Sequence, residues 1–194
     1  DVLESTRNNK PQLSLETLNI DYDKLHGRGG AFLVAPLDKG KVFSREQFSE
    51  DHKMFDQAAR EYGENRLLEV REDLNVLNKD LSLEIFREMG ELGFLSTDVP
   101  EEFGGLALDK TTSCIIVDAL TSGRNASILV TSSAHTGIGM LPIVWYGNHD
   151  QKAKYLPKMA SGEWMGSYAL TESGAGSDAL SGTTTAELND EKTH

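Results

Sequence analysis

The sequence predicts a mainly α chain whose last residues turn to β structure. A polar arm is expected over residues 1–43, a helical domain over 44–162, and the first strands of a β domain over 163–194. Three observations carry this. Apolar residues recur at helical spacing between Ser44 and Pro157, and Ser or Asp residues stand where helices should start. Pro and Gly punctuate the segments between them. After Gly162 the composition shifts to aromatic and β-branched residues in WMGSYALTE and TTTAEL.

The elements follow in order. The arm is rich in polar residues; LETLNIDYDKL has the pattern of a short helix, and HGRGGAFLVAP reads as extended and turn-rich. Ser44 with Gln47 forms a capping box, and Phe43 and Phe48 are placed as a hydrophobic staple. Phe55, Ala58, Ala59 and Tyr62 continue the apolar face of this first helix. A second helix opens near Lys79 or Asp80 with Leu81, Ile85, Phe86, Met89 and Leu92 as its stripe, and Gly93 is placed to stop it. FLSTDVPEEFGG is a loop. Asp109 caps a third helix through TTSCIIVDALTSG. A fourth, rich in small residues, runs from Asn125 toward Met140, where Pro142 limits or kinks it. HDQKAKYLP is a short helix that Pro157 closes. The strands after Gly162 lack enough partners within the sequence to bury both faces, so the β domain reads as truncated.

Composition narrows the function classes. The net charge of -12 and a pI near 4.8 disfavour nucleic acid, whose phosphates need a basic surface, and disfavour electrostatic binding to anionic membranes. The lone Cys114 excludes an intramolecular disulfide and sits in the apolar run CIIVDAL, where a buried, inert thiol is expected. No CxxC or His/Cys cluster points to a metal. No apolar run is read as approaching the roughly 20 residues of a membrane span, and no secretory signal is visible at Asp1.

The chemistry-bearing motif is YALTESGAGSD, Tyr168–Asp178. Its GAGSDA fits the G-x-G-x-x-G/A dinucleotide fingerprint, but that fingerprint must open a helix. Here LSGTTTAEL follows, which is β-rich, so a Rossmann unit is set aside. A strand running into a glycine loop fits better. Gly174 and Gly176 permit unusual backbone angles and close ligand approach, Thr171 and Ser177 supply hydroxyls, and exposed N–H groups can cradle a pyrophosphate. An ordinary β-turn remains open on spacing alone.

This segment resembles the signature of the acyl-CoA dehydrogenase family, in which a strand ends in T-E-P/S followed by G-x-G-S-D. LGFLSTDVPEEFGGLALD resembles the family's PEE-aromatic-GG loop. WYGNHDQKAKYLPKMASGEWMGSYALTE resembles its Q-K-x-x-Y-L-P run leading into the signature. Together these cover residues 45–194 in the family's order. HGRGGAFL also resembles a short KGG-x-FL segment of the very-long-chain-type branch.

The resemblance implies an N-terminal helical domain, a middle β domain and a C-terminal four-helix domain. It implies FAD as cofactor and acyl-CoA as substrate. A carboxylate base removes a proton from Cα of the thioester, hydride passes from Cβ to flavin N5, and hydrogen bonds to the thioester carbonyl raise the acidity. Tyr168, Ala169, Leu170 and Thr171 are then expected against the flavin ring, and Gly176 and Ser177 near the pyrophosphate. Ser177 also matches a position that touches acyl-CoA. Ser173 stands where many members carry proline.

No catalytic residue is expected within the 194 residues, because the family's glutamate base lies in the C-terminal domain. Glu101 and Glu102 read as solvated or capping carboxylates, Glu172 as structural, and His135 as a satisfied core histidine. An electron-transfer flavoprotein is the implied electron acceptor and a homo-oligomer the implied assembly, in bacterial cytoplasm or mitochondrial matrix. Fatty-acid β-oxidation is the implied process. Related flavin oxidases and monooxygenases, or a non-catalytic helical binding module, are the alternatives, and the 194-residue chain alone is expected to be inactive.

Overall fold

The computed structural model describes Asp21, Leu33, residues 44–76 and residues 78–191. The short helix expected in LETLNIDYDKL (Asp21 apart), the staple residue Phe43 and, Leu33 apart, the HGRGGAFL motif lie outside the described residues. The chain divides into two units, Asp1–Phe48 and Ser49–His194. In the first, Ser44 and Gln47 form the expected capping box, but it opens only the single 3-10 turn Arg45–Gln47. The Arg45 guanidinium sits 5.9 Å from the Phe48 ring centre.

The second unit is helical. Helix α1, Glu50–Tyr62, starts from a second cap: the Ser49 hydroxyl accepts from His52 N–H, and the His52 ring accepts from Ser49 N–H. Two serines five residues apart compete for one helix start, and the later one precedes the unbroken helical run. Ala59 is buried on α1 and Phe55 and Tyr62 pack on the same core, whereas Ala58 faces out. A wide π turn, Gly63–Leu67, leads to α2, Arg71–Asn75.

Helix α3, Lys79–Glu91, is capped by the Asn78 side chain, which accepts from Leu81 N–H at 3.2 Å. Ile85, Phe86 and Met89 are fully buried in a core shared with Leu67, Leu95, Ala119 and Leu120. Each such side chain contributes about 1.5–3 kcal/mol of transfer free energy. The helix ends as the sequence requires. Gly93 sits at φ +77, its N–H bonds Gly90 O, and Phe94 N–H reaches back to Met89 O at 2.9 Å. That paired arrangement satisfies carbonyls the last turn leaves open, and Leu92, at the cap, is exposed rather than on the stripe.

The loop through Pro100 folds on itself, with Leu106, Ala107 and Leu108 N–H groups bonded to Ser96, Val99 and Thr97 carbonyls. Glu101 and Glu102 are exposed in the turn Glu101–Phe103, while Phe103 is buried. Asp109 then caps α4, Lys110–Leu120, accepting from Thr112 N–H at 2.9 Å. The same carboxylate accepts from His52 Nε2 at 3.0 Å and so ties the start of α1 to the start of α4. Desolvation raises the Asp109 pKa, but the Thr112 N–H and the His52 ring outweigh it and hold the carboxyl below its ordinary range. Asp109→Ala is expected to cost about 1–2 kcal/mol by loss of the cap, and Asp109→Asn much less. Urea unfolding at neutral pH measures both.

Cys114 departs from expectation: it is exposed. The inward face of α4 is Thr112, Ile115, Ile116 and Ala119, and helical spacing turns position 114 away from it. After the turn Thr121–Gly123, Asn125 caps α5, Ala126–Ala134. A second π turn, His135–Gly139, joins α5 to α6, Leu141–Tyr146, and Pro142 lies in the first turn of α6 instead of ending a helix. Helix α7, His149–Ala160, runs through Pro157. The ring forgoes the bond to the Ala153 carbonyl, but burial of Leu156, Met159 and Ala160 holds the last turn.

By length and composition alone, the continuous stretch Ala126–Tyr146 could cross a bilayer. Counting only unbroken apolar runs misses it, because interspersed Ser, Thr and Gly lower its hydropathy little. Here it buries Ile128, Ser132, His135 and Met140 within the helical unit. It leaves Val130, Ile138, Trp145 and Tyr146 exposed.

The segments read as strands form no ladder. Among the described residues the only β pairing is an isolated bridge between Glu172 and Ala175. Residues 166–171 and 182–189 carry no regular hydrogen-bonded structure. Strand propensity without an adjacent strand leaves N–H and C=O groups with nothing to pair. The observed chain is accordingly mainly α.

Candidate functional site

The backbone enters the candidate site where α3 and the end of α7 touch. Gly162 takes φ +73 directly after α7. Trp164 N–H then bonds the Lys158 carbonyl at 2.9 Å, and the Lys158 ammonium lies 4.4 Å from the Trp164 ring centre. Gly166 is next. Its N–H donates to His135 Nδ1 at 2.8 Å. His135 Nε2 in turn donates to the Met159 carbonyl at 3.0 Å, which assigns the neutral tautomer with the proton on Nε2. The ring is fully buried edge-on against Phe86, and burial pushes its pKa down to about 4. His135 is thus a satisfied core histidine.

From Gly166 the chain runs as an arm. Tyr168, Ala169, Leu170 and Thr171 are all exposed, Tyr168 at 53% and Leu170 at 47%. The arm then turns sharply: Glu172 N–H bonds Ala175 O at 3.0 Å and Ala175 N–H bonds Glu172 O at 3.2 Å. Ala175 is buried and anchors this turn. The Glu172 carboxylate closes the loop from its other end, accepting from Thr183 N–H at 2.8 Å and Thr184 N–H at 3.0 Å. The Thr184 side chain and the N–H groups of Thr183 and Thr184 hold its pKa down at about 2. A carboxylate so occupied is no general base. Glu172→Ala is expected to release residues 172–184, seen as faster amide exchange at Thr183 and Thr184 with the helices unchanged.

Gly174 and Gly176 differ from expectation in one respect. Neither has positive φ, so neither is required by backbone angle. Each leaves its main chain approachable: a Cβ at either position would meet no atom within 4 Å. Gly176 and Ser177 are exposed beside them. The Ser181 hydroxyl donates to Asp178 and folds the short turn Ala179–Ser181 after the motif.

The structure therefore brings the six expected residues onto one exposed arm-and-turn: an apolar and aromatic run, a hydroxyl, then an open glycine loop with main-chain donors. An extended anionic ligand with a flat ring at one end fits that order of groups. A cavity of about 380 Å³ opens at the base of the arm, lined by Leu74, Val76, Ser82, Phe86, Thr131 and Met165 among others. Sequence reasoning missed the grip of His135 on Gly166. The two lie 31 residues apart, and nothing local marks them as partners.

The helical unit ends in an exposed segment that carries the motif. Residues 49–163 match the family model for the acyl-CoA dehydrogenase N-terminal domain, and the chain belongs to the acyl-CoA dehydrogenase family. It is 43% identical over 167 residues to a probable acyl-CoA dehydrogenase of Bacillus subtilis (strain 168), covering 86% of this chain and 28% of that protein. A crystal structure of an acyl-CoA dehydrogenase complexed with FAD from Bacillus anthracis superposes with TM-score 0.77 at 47% identity, over 86% of this chain and 29% of that one. The mitochondrial short-chain specific acyl-CoA dehydrogenase of Rattus norvegicus is 32% identical over 145 residues, covering 75% of this chain and 35% of the relative. The chain thus spans about a third or less of the length of these relatives.

Proposed function

We propose that this chain forms the N-terminal part of an FAD-dependent acyl-CoA dehydrogenase acting in fatty-acid β-oxidation. Residues 44–162 are its helical domain and 163–194 the opening of its β domain. The observation that carries the reading is the arm itself. Tyr168–Thr171 are exposed in a row, and the Glu172–Ala175 turn presents an open glycine loop directly after them.

In this reading the arm holds FAD. Tyr168, Ala169 and Leu170 lie along the ring system, and the Thr171 hydroxyl makes a polar contact to it. Main-chain N–H groups at Gly176 and Ser177 face the pyrophosphate, where anions favour exposed backbone donors. Ser177 also meets the acyl-CoA. The bound flavin supplies a hydride acceptor. Glu172 keeps the loop in shape through Thr183 and Thr184 and takes no proton. In this reading the proton from Cα goes to a carboxylate outside these residues, and Glu101 and Glu102, exposed in the turn Glu101–Phe103, take no part in the step. Electrons pass on to an electron-transfer flavoprotein, in a homo-oligomer of bacterial cytoplasm or mitochondrial matrix.

The test mixes the flavin-loaded full-length protein with a panel of acyl-CoA thioesters in a stopped-flow instrument. Rapid bleaching of the flavin with little oxygen uptake is expected. Fast reoxidation by oxygen points instead to an oxidase. Saturable turnover by residues 1–194 alone, with an artificial electron acceptor, contradicts placement of the base elsewhere.

A further inference from the structure

We propose that His135 is a positioning residue for the flavin-facing arm, acting through the main chain of Gly166. The inference rests on the reading that Tyr168–Ser177 contact the cofactor. Between Trp164 N–H and Glu172 N–H, the bond from Gly166 N–H to His135 Nδ1 is the arm's only backbone tether among the described residues. It lies two residues before Tyr168, where a small displacement passes straight into the ring-facing positions. One end of the imidazole holds the arm and the other holds the Met159 carbonyl in the last turn of α7.

The surroundings fix the ring. His135 is fully buried, and the Phe86 ring stands edge-on to it at 4.9 Å between centres. It opens the π turn His135–Gly139, and Gly139 approaches so near that a Cβ there would lie 2.8 Å from the Gly166 carbonyl carbon. A Cβ on Gly166 would lie 2.4 Å from the Met159 methyl group. The arm is therefore clasped between the π turn and the end of α7, with one directed hydrogen bond setting its height. A core histidine serving only packing would need its ring volume and a partner for each nitrogen. Here the Nδ1 partner is the main chain of the segment that carries the site.

Side-chain chemistry separates the roles. Asn places an acceptor near the position of Nδ1 and can keep the Gly166 bond. Gln places a donor near Nε2 and keeps the Met159 bond. Leu fills the space and keeps neither. FAD affinity and the visible flavin spectrum are measured on His135→Asn, His135→Gln and His135→Leu, with folding checked by far-UV circular dichroism. The expected result is about tenfold weaker FAD binding and an altered spectrum for Gln and Leu, with Asn near wild type. A folded Leu variant that matches wild type overturns the inference, as does an Asn variant as impaired as Leu. Amide exchange on the unaltered protein gives a check that needs no variant: Gly166 should be protected while Ser167–Leu170 exchange freely, and equal rates overturn the tether. Tyr168→Ala and Thr171→Ala test the underlying site reading separately. If neither disturbs the flavin, that reading fails. If both do and His135→Leu does not, only the positioning role fails.

Discussion

Acidification from pH 7 to pH 4 is expected to remove about 3 kcal/mol of stability through His135 alone. The folded-state pKa is pushed down to about 4 from an ordinary 6.5, because burial disfavours the charged ring. Between those values the unfolded chain binds the proton and the folded protein does not. Stability is therefore full above about pH 6.5 and falls as pH drops toward 4. The geometry explains the resistance to protonation: Nδ1 already accepts from Gly166 N–H, so a proton there must break that bond. Carboxylates held below their ordinary range, such as Glu88 beside Arg66 and Tyr62, begin to lose their contribution as pH falls through the ordinary value of 4.5, so the window from about pH 6.5 to about pH 5 reports on His135. Urea unfolding at a series of pH values isolates the term. Wild type should lose stability steadily across this window, and His135→Asn should be nearly flat. A wild-type profile as flat as the variant's would sink the assignment.

Much of the helical domain was legible because its signals are local. Asp109 and Asn125 cap α4 and α5, Gly93 stops α3, and the Ile85, Phe86, Met89 spacing marks the buried face. The departures share another cause: they depend on residues distant in sequence. Helix α7 survives Pro157 because Leu156 and Met159 find a core to enter. The π turn Gly63–Leu67 lies against the turn Thr121–Gly123, where a Cβ on Gly63 would come within 2.2 Å of Ser122 Oγ. The β-branched run TTTAEL has strand propensity, but a ladder needs a neighbour. At the site, a turn of small residues is readable from composition, whereas the structural use of Glu172 follows from the family resemblance of its motif. The clasp at Gly166 was not, since His135 and Met159 reach it from separate helices.

Gly162→Ala should be among the most damaging small substitutions in the domain, lowering stability by about 2–4 kcal/mol. Two effects combine. Gly162 lies at φ +73, where any L side chain is strained. A Cβ there would also sit 2.5 Å from the Phe86 carbonyl oxygen and 3.2 Å from Arg87 Cα, which are backbone atoms of α3 and cannot rotate away. The approach is reciprocal: a Cβ on Gly90 would lie 2.3 Å from the Ser161 carbonyl oxygen. Helix α3 and the end of α7 thus meet backbone to backbone, and the arm leaves the helices from that contact. Relieving the collision must push Ser161–Glu163 outward and carry Gly166 away from His135. The loss of stability should therefore come with faster exchange of the Gly166 amide. Gly174→Ala is the matched control, because it adds the same methyl group to the same arm in open space. It should leave the unfolding midpoint within the error of measurement. Equal midpoints for the two variants would show that the contact between α3 and α7 tolerates a methyl group and does not fix where the arm departs.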